Sequence, residues 1–396
     1  MAKTKFCFTV FISIIFMAQL YSQDMRLIPF RNKDRWGFCD KNKKIVIEPK
    51  YDSVNTFSGN YARVILNKKT GMINLQGKEI CKIKYDEIFD FSEGLAKVTL
   101  NGKSGFINSA GEEIIPLIFT GANSFKDGLA AVQLGDKWGF INKQGKVVIP
   151  IIYDLAYSFK DGLAGVKLSG KAGFINTNGK AVIPLMFDEI PFYFVDVFKD
   201  GLSAVRQNEK FGFINTKGDL IIPMKYDAVN SFSEGFASVK LMFDKYWGFI
   251  NKKDDVITPF IFDKVYFFHE GMAGVIIKDS VGFINTEGKI VIPIKYQDAN
   301  SFSEGLARVK LHDKYGFINK QGKEAAPIEY DGAGNFSEGL AAVKKFDKWG
   351  YINKDGKIVI PIKYDSALAF ENGLTIIRYE GKIGYINTSG TEYWEN

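Results

Sequence analysis

Apolar and polar residues alternate with a period of two along short runs, and each run stops at a glycine, a proline or a small polar cluster. The segment WGFINKQGKVVIPIIYD, Trp138 to Asp154, shows the pattern. It predicts a first strand over 138–142, a turn in which Gly145 supplies the required conformation, and a second strand over 146–152 closing a hairpin. Pro150 has no amide to give a ladder, so it belongs at the end of that strand or on a sheet edge. The residues 153–162, YDLAYSFKDG, read as a loop. A third strand is expected at LAAVQL, Leu129 to Leu134.

The pattern recurs. Its anchor glycines are Gly37, Gly71, Gly105, Gly139, Gly173, Gly212, Gly248, Gly282, Gly316, Gly350 and Gly384, and eight of the ten intervals are 34 residues. Helical repeats can have this length, but glycine and proline in most units and alternation by twos exclude them. In the third strand the Ala and Val positions barely change (Ala96/Val98, Ala130/Val132, Ala164/Val166, Ala237/Val239, Ala341/Val343), whereas their neighbours vary, as Lys97, Ala131 and Arg308 show. This predicts one packed and one wet face. A second glycine series, including Gly94, Gly128 and Gly305, is replaced once, by Asn60, which points to a positive φ. The expected fold is all-β: a tandem array of about ten to eleven three-stranded antiparallel units. An open curved array is favoured, with a propeller-like closed ring as the alternative. One such unit cannot bury its own face, and stacked copies can.

Composition and termini add the compartment. Lys3 and Lys5 precede the apolar run Phe6 to Leu20, and Ser22 offers a small residue at a cleavage point, so residues 1–22 read as a signal peptide and 23–396 as one repeat domain. The run is short for a membrane span, and no other stretch is apolar enough, so no transmembrane segment is expected after cleavage. Cleavage removes two lysines and lowers the net charge from +7 to +5. That mild excess does not call for nucleic acid. Cys39 and Cys81 lie at different phases of the repeat; a bridge between them and two free thiols both stay open.

No metal, cofactor or catalytic set is expected. His269 and His312 do not recur at their phases, and two histidines with two cysteines do not make a zinc site at this spacing. No nucleophile elbow or phosphate loop occurs. The carboxylates are periodic: Asp52, Asp86, Asp154, Asp227, Asp331 and Asp365 follow the loop aromatic, and Glu93, Glu234, Glu304 and Glu338 precede the turn glycine. Repetition in most units suits turn capping better than a single catalytic pair.

Three features could carry binding. Trp36, Trp138, Trp247 and Trp349 share the anchor phase, either as packing between units or as a ladder for sugar rings or partner side chains. Lys167, Arg206, Lys240, Lys310 and Lys344 share one phase of the third strand and could form a basic stripe. The longest irregular interval contains Phe192, Tyr193 and Phe194, too apolar for an ordinary surface loop. A shorter irregularity precedes Trp247.

The WG-F-I-N phrase with its following glycine, proline and Tyr-Asp resembles the WG-repeat proteins of bacteria over nearly all of the segment after residue 22. Trp stands at the anchor only at Trp36, Trp138, Trp247 and Trp349; elsewhere the position holds Thr70, Ser104, Ala172, Phe211, Val281, Tyr315 or Ile383. The resemblance implies β-rich tandem repeats, often exported, with no common catalytic residue or ligand. The expectation is therefore a secreted, periplasmic or cell-surface protein, monomeric and not an enzyme, that binds a protein or an envelope glycan. The alternative is an enzyme with a site at an irregular repeat.

Overall fold

The computed structural model describes residues 27–191, 198–241 and 245–394, in which every regular element is a strand. The expected signal segment and the aromatic trio at 192–194 lie outside these residues. Among the described residues no helix is long and apolar enough to cross a membrane.

The strands form ten antiparallel sheets, one after another along the chain. The sheet around Gly139 is a meander of Leu129–Leu134, Lys137–Asn142 and Val147–Tyr153. A fourth, two-residue strand, Gly121–Ala122, pairs with the first of these. Residues read as loop thus contribute a sheet edge: in the next unit Leu155 and Ala156 pair with Lys167 and Val166. One sheet has five strands because Leu220–Val229 runs without a break from the unit of Gly212 into that of Gly248. Eleven anchor glycines are therefore distributed over ten sheets. Units are numbered below by these glycines, from Gly37 (first) to Gly384 (eleventh).

The hairpins follow from local chemistry. The Asn142 side-chain oxygen accepts from the backbone N–H groups of Gln144 and Lys146 at 3.1 and 3.0 Å, fixing the turn before the proline-bearing strand. Gly128 and Gly305 have φ of 80° and 86°, as expected, and the acids before them, Asp127 and Glu304, are also positive at 51° and 53°. Two successive positive φ values make the hairpin turn whose twist suits a β-ladder. The first unit departs from the expectation: the positive φ falls on Gly59, at 60°, and not on Asn60. A Cβ on Gly305 would meet no atom within 4 Å. Gly305→Val is therefore expected to cost only the backbone strain, about 1 kcal/mol, read as a shift in the urea midpoint at unchanged m.

The core lies between neighbouring sheets. Phe140 and Tyr153 of the fourth unit pack with Phe159, Ala164 and Val166 of the fifth, while Ala130 and Val132 pack against Phe106 and Phe119 of the third. Most central strands are thus covered on both faces, which corrects the expectation of one wet face; in the last unit Ile376 stays exposed. Ala131, on the face expected to be wet, is fully buried. Where that position is arginine, the side chain reaches the neighbour: Arg63 and Arg308 donate to the carbonyls of Ile88 and Ala333 at 2.8 and 3.1 Å. Variation at this position reflects what the adjacent unit offers. It does not report solvent.

The array closes into a propeller-like ring, so the open array gives way to its alternative. Ile28, Phe30 and Cys39 of the first unit form one cluster with Leu374, Tyr385 and Tyr393 of the last, and Trp36 meets Tyr385 edge-on at a centroid distance of 5.8 Å. The reason follows from the two-faced core. An open array would leave an apolar sheet face bare at each end, and closure buries both.

Candidate functional site

Most of the periodic polar groups are used in holding units together. The side chains of Tyr-Asp aspartates cap the turn into the next WG strand: Asp86 accepts from the Asn101 N–H at 2.6 Å and Asp331 from that of Phe346 at 2.9 Å. Lysine salt bridges join these two, Lys69 to Asp86 and Lys314 to Asp331, both at 2.5 Å, and Arg35 takes the lysine's place at Asp52. The acid before each turn glycine reaches one unit further. Glu93 accepts from Gly128 N–H, Asp127 from Gly162, Glu270 from Gly305, Glu304 from Gly339 and Glu338 from Gly373, at 2.7 to 3.0 Å for the shorter contact of each. The capping read from the sequence is present, but these acids cap the neighbour's turn.

Lysine hydrogen bonds, helped by the turn N–H groups, hold Asp86, Asp188 and Asp331 below the ordinary aspartate range, and the same lysine contact acts on Asp154 and Asp365. A depressed folded pKa contributes stability above the unfolded value, near 4, that is lost as pH falls through the folded value. Melting temperature should accordingly be flat near neutrality and fall below about pH 4. Asp331→Asn should lower it at pH 7 and make the acid decline shallower. An equal decline in both proteins would count against the caps. Cys39 and Cys81 are free and buried, and desolvation pushes their thiols up to about 12 and about 11.

The anchor tryptophans are half-buried, packed against cores shared by adjacent units: Trp138 against the cluster of Phe140 and Phe159, Trp349 against that of Tyr351 and Phe370, and Trp247 against that of Phe249 and Phe268. Trp36 packs at the seam. Along the array the recurring ring-on-ring contact is a different one. Phe106–Phe125, Phe140–Phe159, Phe213–Phe232 and Phe317–Phe336 have centroids 4.7 to 4.9 Å apart, joining each WG strand to the following turn. These phenylalanines were not singled out in the sequence, although their constant 19-residue spacing was visible there.

The basic phase of the third strand is not a free stripe. Three of its residues cover the anchor ring: Lys240 sits 5.0 Å over Trp247, Arg206 5.7 Å over Phe211 and Lys310 5.6 Å over Tyr315, whereas Lys167 faces Ala172. Lys310 and Lys344 also pair with Asp313 and Asp347 at 2.9 Å.

Two departures from this regularity stand out. The first is a pocket of about 440 Å³ in the fifth unit, lined by Ala172, Leu155, Tyr157, Lys167, Arg206 and residues 188–190. Asp188 there is committed to Lys171 and the Asn208 N–H, at 2.5 and 2.9 Å. Glu189 stands 3.4 Å from Arg206, whose Nε is buried without a partner. The second is on the proline-bearing strands: aliphatics at the start of the strand are exposed in many units, as Val147, Val148, Ile290, Val291, Ile358 and Val359 show, and in units three to five Ile118, Ile152 and Met186, each at least 40% exposed, extend that surface along the strand. Elsewhere the position of Ile118, Ile152 and Met186 holds Lys50, Lys84, Lys225, Lys295, Glu329 or Lys363, and in the seventh unit Ile261, which is exposed as well. Lys84, Lys225 and Lys363 bridge to an acid of the next unit, Glu113, Asp254 and Glu392, at 2.5 to 2.7 Å. Among the described residues no cluster of His, Cys, Asp and Glu could hold a metal ion.

The WG containing repeat model matches residues 36–69, 71–103, 105–138, 138–171, 173–211, 211–242, 247–279, 282–315, 315–349 and 349–382. The chain belongs to the WG containing repeat family. No curated protein matches it. Among solved structures it is similar to a eukaryotic initiation factor, at TM-score 0.44 and 10% identity, covering 84% of this chain and 94% of that one. It is also similar to the extracellular domain of a hybrid two component system of B. thetaiotaomicron, at TM-score 0.25 and 9% identity, covering 93% and 64%. A third is virginiamycin B lyase of Staphylococcus aureus, at TM-score 0.26 and 15% identity, covering 57% and 90%. These likenesses assign no function to the WG-repeat chain.

Proposed function

We propose that this WG-repeat ring is an exported, non-catalytic scaffold that binds a protein partner through the aliphatic rim of units three to five. The observation that carries the reading is the replacement of an inter-unit ion-pair lysine by Ile118, Ile152 and Met186 in three consecutive units, all three well exposed. Contiguous apolar surface of this kind marks interaction sites on soluble proteins. The rim is aliphatic, so it lacks the ring faces on which sugars stack; that favours a polypeptide over an envelope glycan. Export rests on Lys3, Lys5 and the Phe6 to Leu20 run, and N-terminal sequencing of the extracytoplasmic product should begin near Gln23.

The triple variant Ile118→Lys, Ile152→Lys, Met186→Lys installs the residue found at the same place in other units, so it should melt like the parent. It should lose at least tenfold in affinity for the partner photo-crosslinked from position 152, about 1.4 kcal/mol. Unchanged affinity, or a crosslink to glycan alone, would exclude the rim as a protein-binding surface.

A further inference from the structure

The pocket of the fifth unit has the form of a missing ring. In the fourth and tenth units the anchor Trp lies across the short edge strand, and that strand carries glycine beneath it. A Cβ on Gly121 would stand 3.2 Å from Trp138 Cη2, and one on Gly332 would stand 3.3 Å from Trp349 Cη2. Leu155 holds the equivalent edge position in the fifth unit, opposite Lys167, and Ala172 holds the anchor. Large and small have exchanged places, but the exchange is incomplete: an opening of about 440 Å³ remains, within the roughly 300–1,000 Å³ of ligand pockets.

The cation has stayed. Lys167 is directly opposite Ala172 in the ladder, as Arg31, Arg206 and Lys310 are opposite Trp36, Phe211 and Tyr315. Those three cover the ring they face, at 5.6 to 5.8 Å from its centroid. The other small anchors, Thr70, Ser104 and Val281, face Ile65, Thr99 and Ile276, which carry no charge. Among the described residues Ile383 also faces a cation, Arg378, but the opening beside it, about 210 Å³, is half that at Ala172 and is lined by Trp394; Ala172 combines the facing cation with the larger slot.

We propose that this pocket binds a planar aromatic ring of the indole or phenol class, which takes the place of the absent anchor ring. The Lys167 ammonium covers the ring face, as in the ringed units. Ile190 and Leu155 supply apolar walls. Glu189 and the unpartnered Nε of Arg206 offer an acceptor and a donor for the polar edge of the ligand, such as an indole N–H or a phenol O–H. The ring can come from a free small molecule or from a side chain of a polypeptide. The site is separate in its residues from the aliphatic rim and does not depend on it.

The test is equilibrium dialysis of the mature chain with indole, with N-acetyl-tryptophanamide and with glucose. The structure of the chain itself supplies the blocking variant: Leu155→Gly with Ala172→Trp rebuilds the Gly121/Trp138 arrangement and should fold like the parent. Indole binding should fall at least tenfold in this double variant and about threefold in Lys167→Gln. Comparable binding of N-acetyl-tryptophanamide identifies a polypeptide source, and its exclusion identifies a free molecule. Binding of glucose without indole, or indole binding unchanged in a double variant of parental melting temperature, would overturn the proposal. The Ile118/Ile152/Met186 lysine variant should bind indole normally, so failure of the rim and failure of the pocket are read separately.

Discussion

Gly139→Ala is expected to destabilise the ring by about 3 kcal/mol, several times the effect of a small substitution at Gly305. The two glycines are required for different reasons. At Gly139 the backbone conformation is ordinary, but the opposing strand bulges. Trp138 pairs with Tyr153 and Phe140 with Ile149, so three residues, Pro150 to Ile152, face the single Gly139. This bulge is what admits proline to the strand, since the local ladder is already broken. It also pushes backbone against the glycine. A Cβ there would lie 2.7 Å from Ile151 Cα and from the Pro150 carbonyl oxygen, and 2.8 Å from the Ile149 oxygen. Backbone atoms cannot rotate away as a side-chain tip can, so the sheet has to open. Chemical denaturation of G139A and G316A should show the same large loss, because Gly316 meets Ile328 and Pro327 in the same way. A loss under 1 kcal/mol in both would mean that the bulge yields freely.

The second large effect belongs to the seam. Tyr385→Ala should cost about 3–5 kcal/mol, the usual range for truncating a buried aromatic. Tyr385 is nearly buried among Ile28, Phe30, Leu374 and Tyr393, with the Trp36 ring on its edge. The distribution of the damage matters more than its size. In a ring, loosening the last unit also uncovers the first, more than 340 residues away in sequence. Hydrogen exchange of Tyr385→Ala should therefore show faster amides in Ile28–Asn32 and Arg35–Cys39 as well as in Lys382–Asn387. Exchange confined to the last unit and its sequence neighbour would mean that the ends do not hold each other.

The sequence made the unit legible because each unit repeats its local chemistry. The turn glycines and the edge proline read correctly, since a φ sign or a missing amide depends on few neighbours. Which faces are wet did not read correctly. Ala131, Lys97 and Arg308 vary as surface residues do, yet they face the next sheet. For Arg308 the neighbour's short strand supplies a carbonyl, and for Lys97 the edge strand of its own sheet supplies the Phe89 ring. Closure was equally hidden. It depends on a small rotation accumulated over all units, and no single residue reports that angle. The pocket was within reach of the sequence. The exchange of Gly121/Trp138 for Leu155/Ala172 is written in the repeats, but only the edge strand, which read as loop, shows that those two positions touch.

The hydrogen bonds donated by Gly128 to Glu93, Gly162 to Asp127 and Gly339 to Glu304 all run the same way along the chain. Inside the array such a unit carries an acceptor for its successor and a donor for its predecessor, while the first turn holds Gly59 and the last Asn372 in the acid's place. A gene segment duplicated or lost in whole units therefore brings or removes both halves of a joint together and strands neither. The chemistry of the joint is indifferent to how many units there are. The copy number must be selected elsewhere, at the seam of Phe30 and Tyr385, where only a chain that has turned through a full circle finds its own beginning. Kin of this protein should accordingly differ by whole units inside the array while keeping complementary apolar ends.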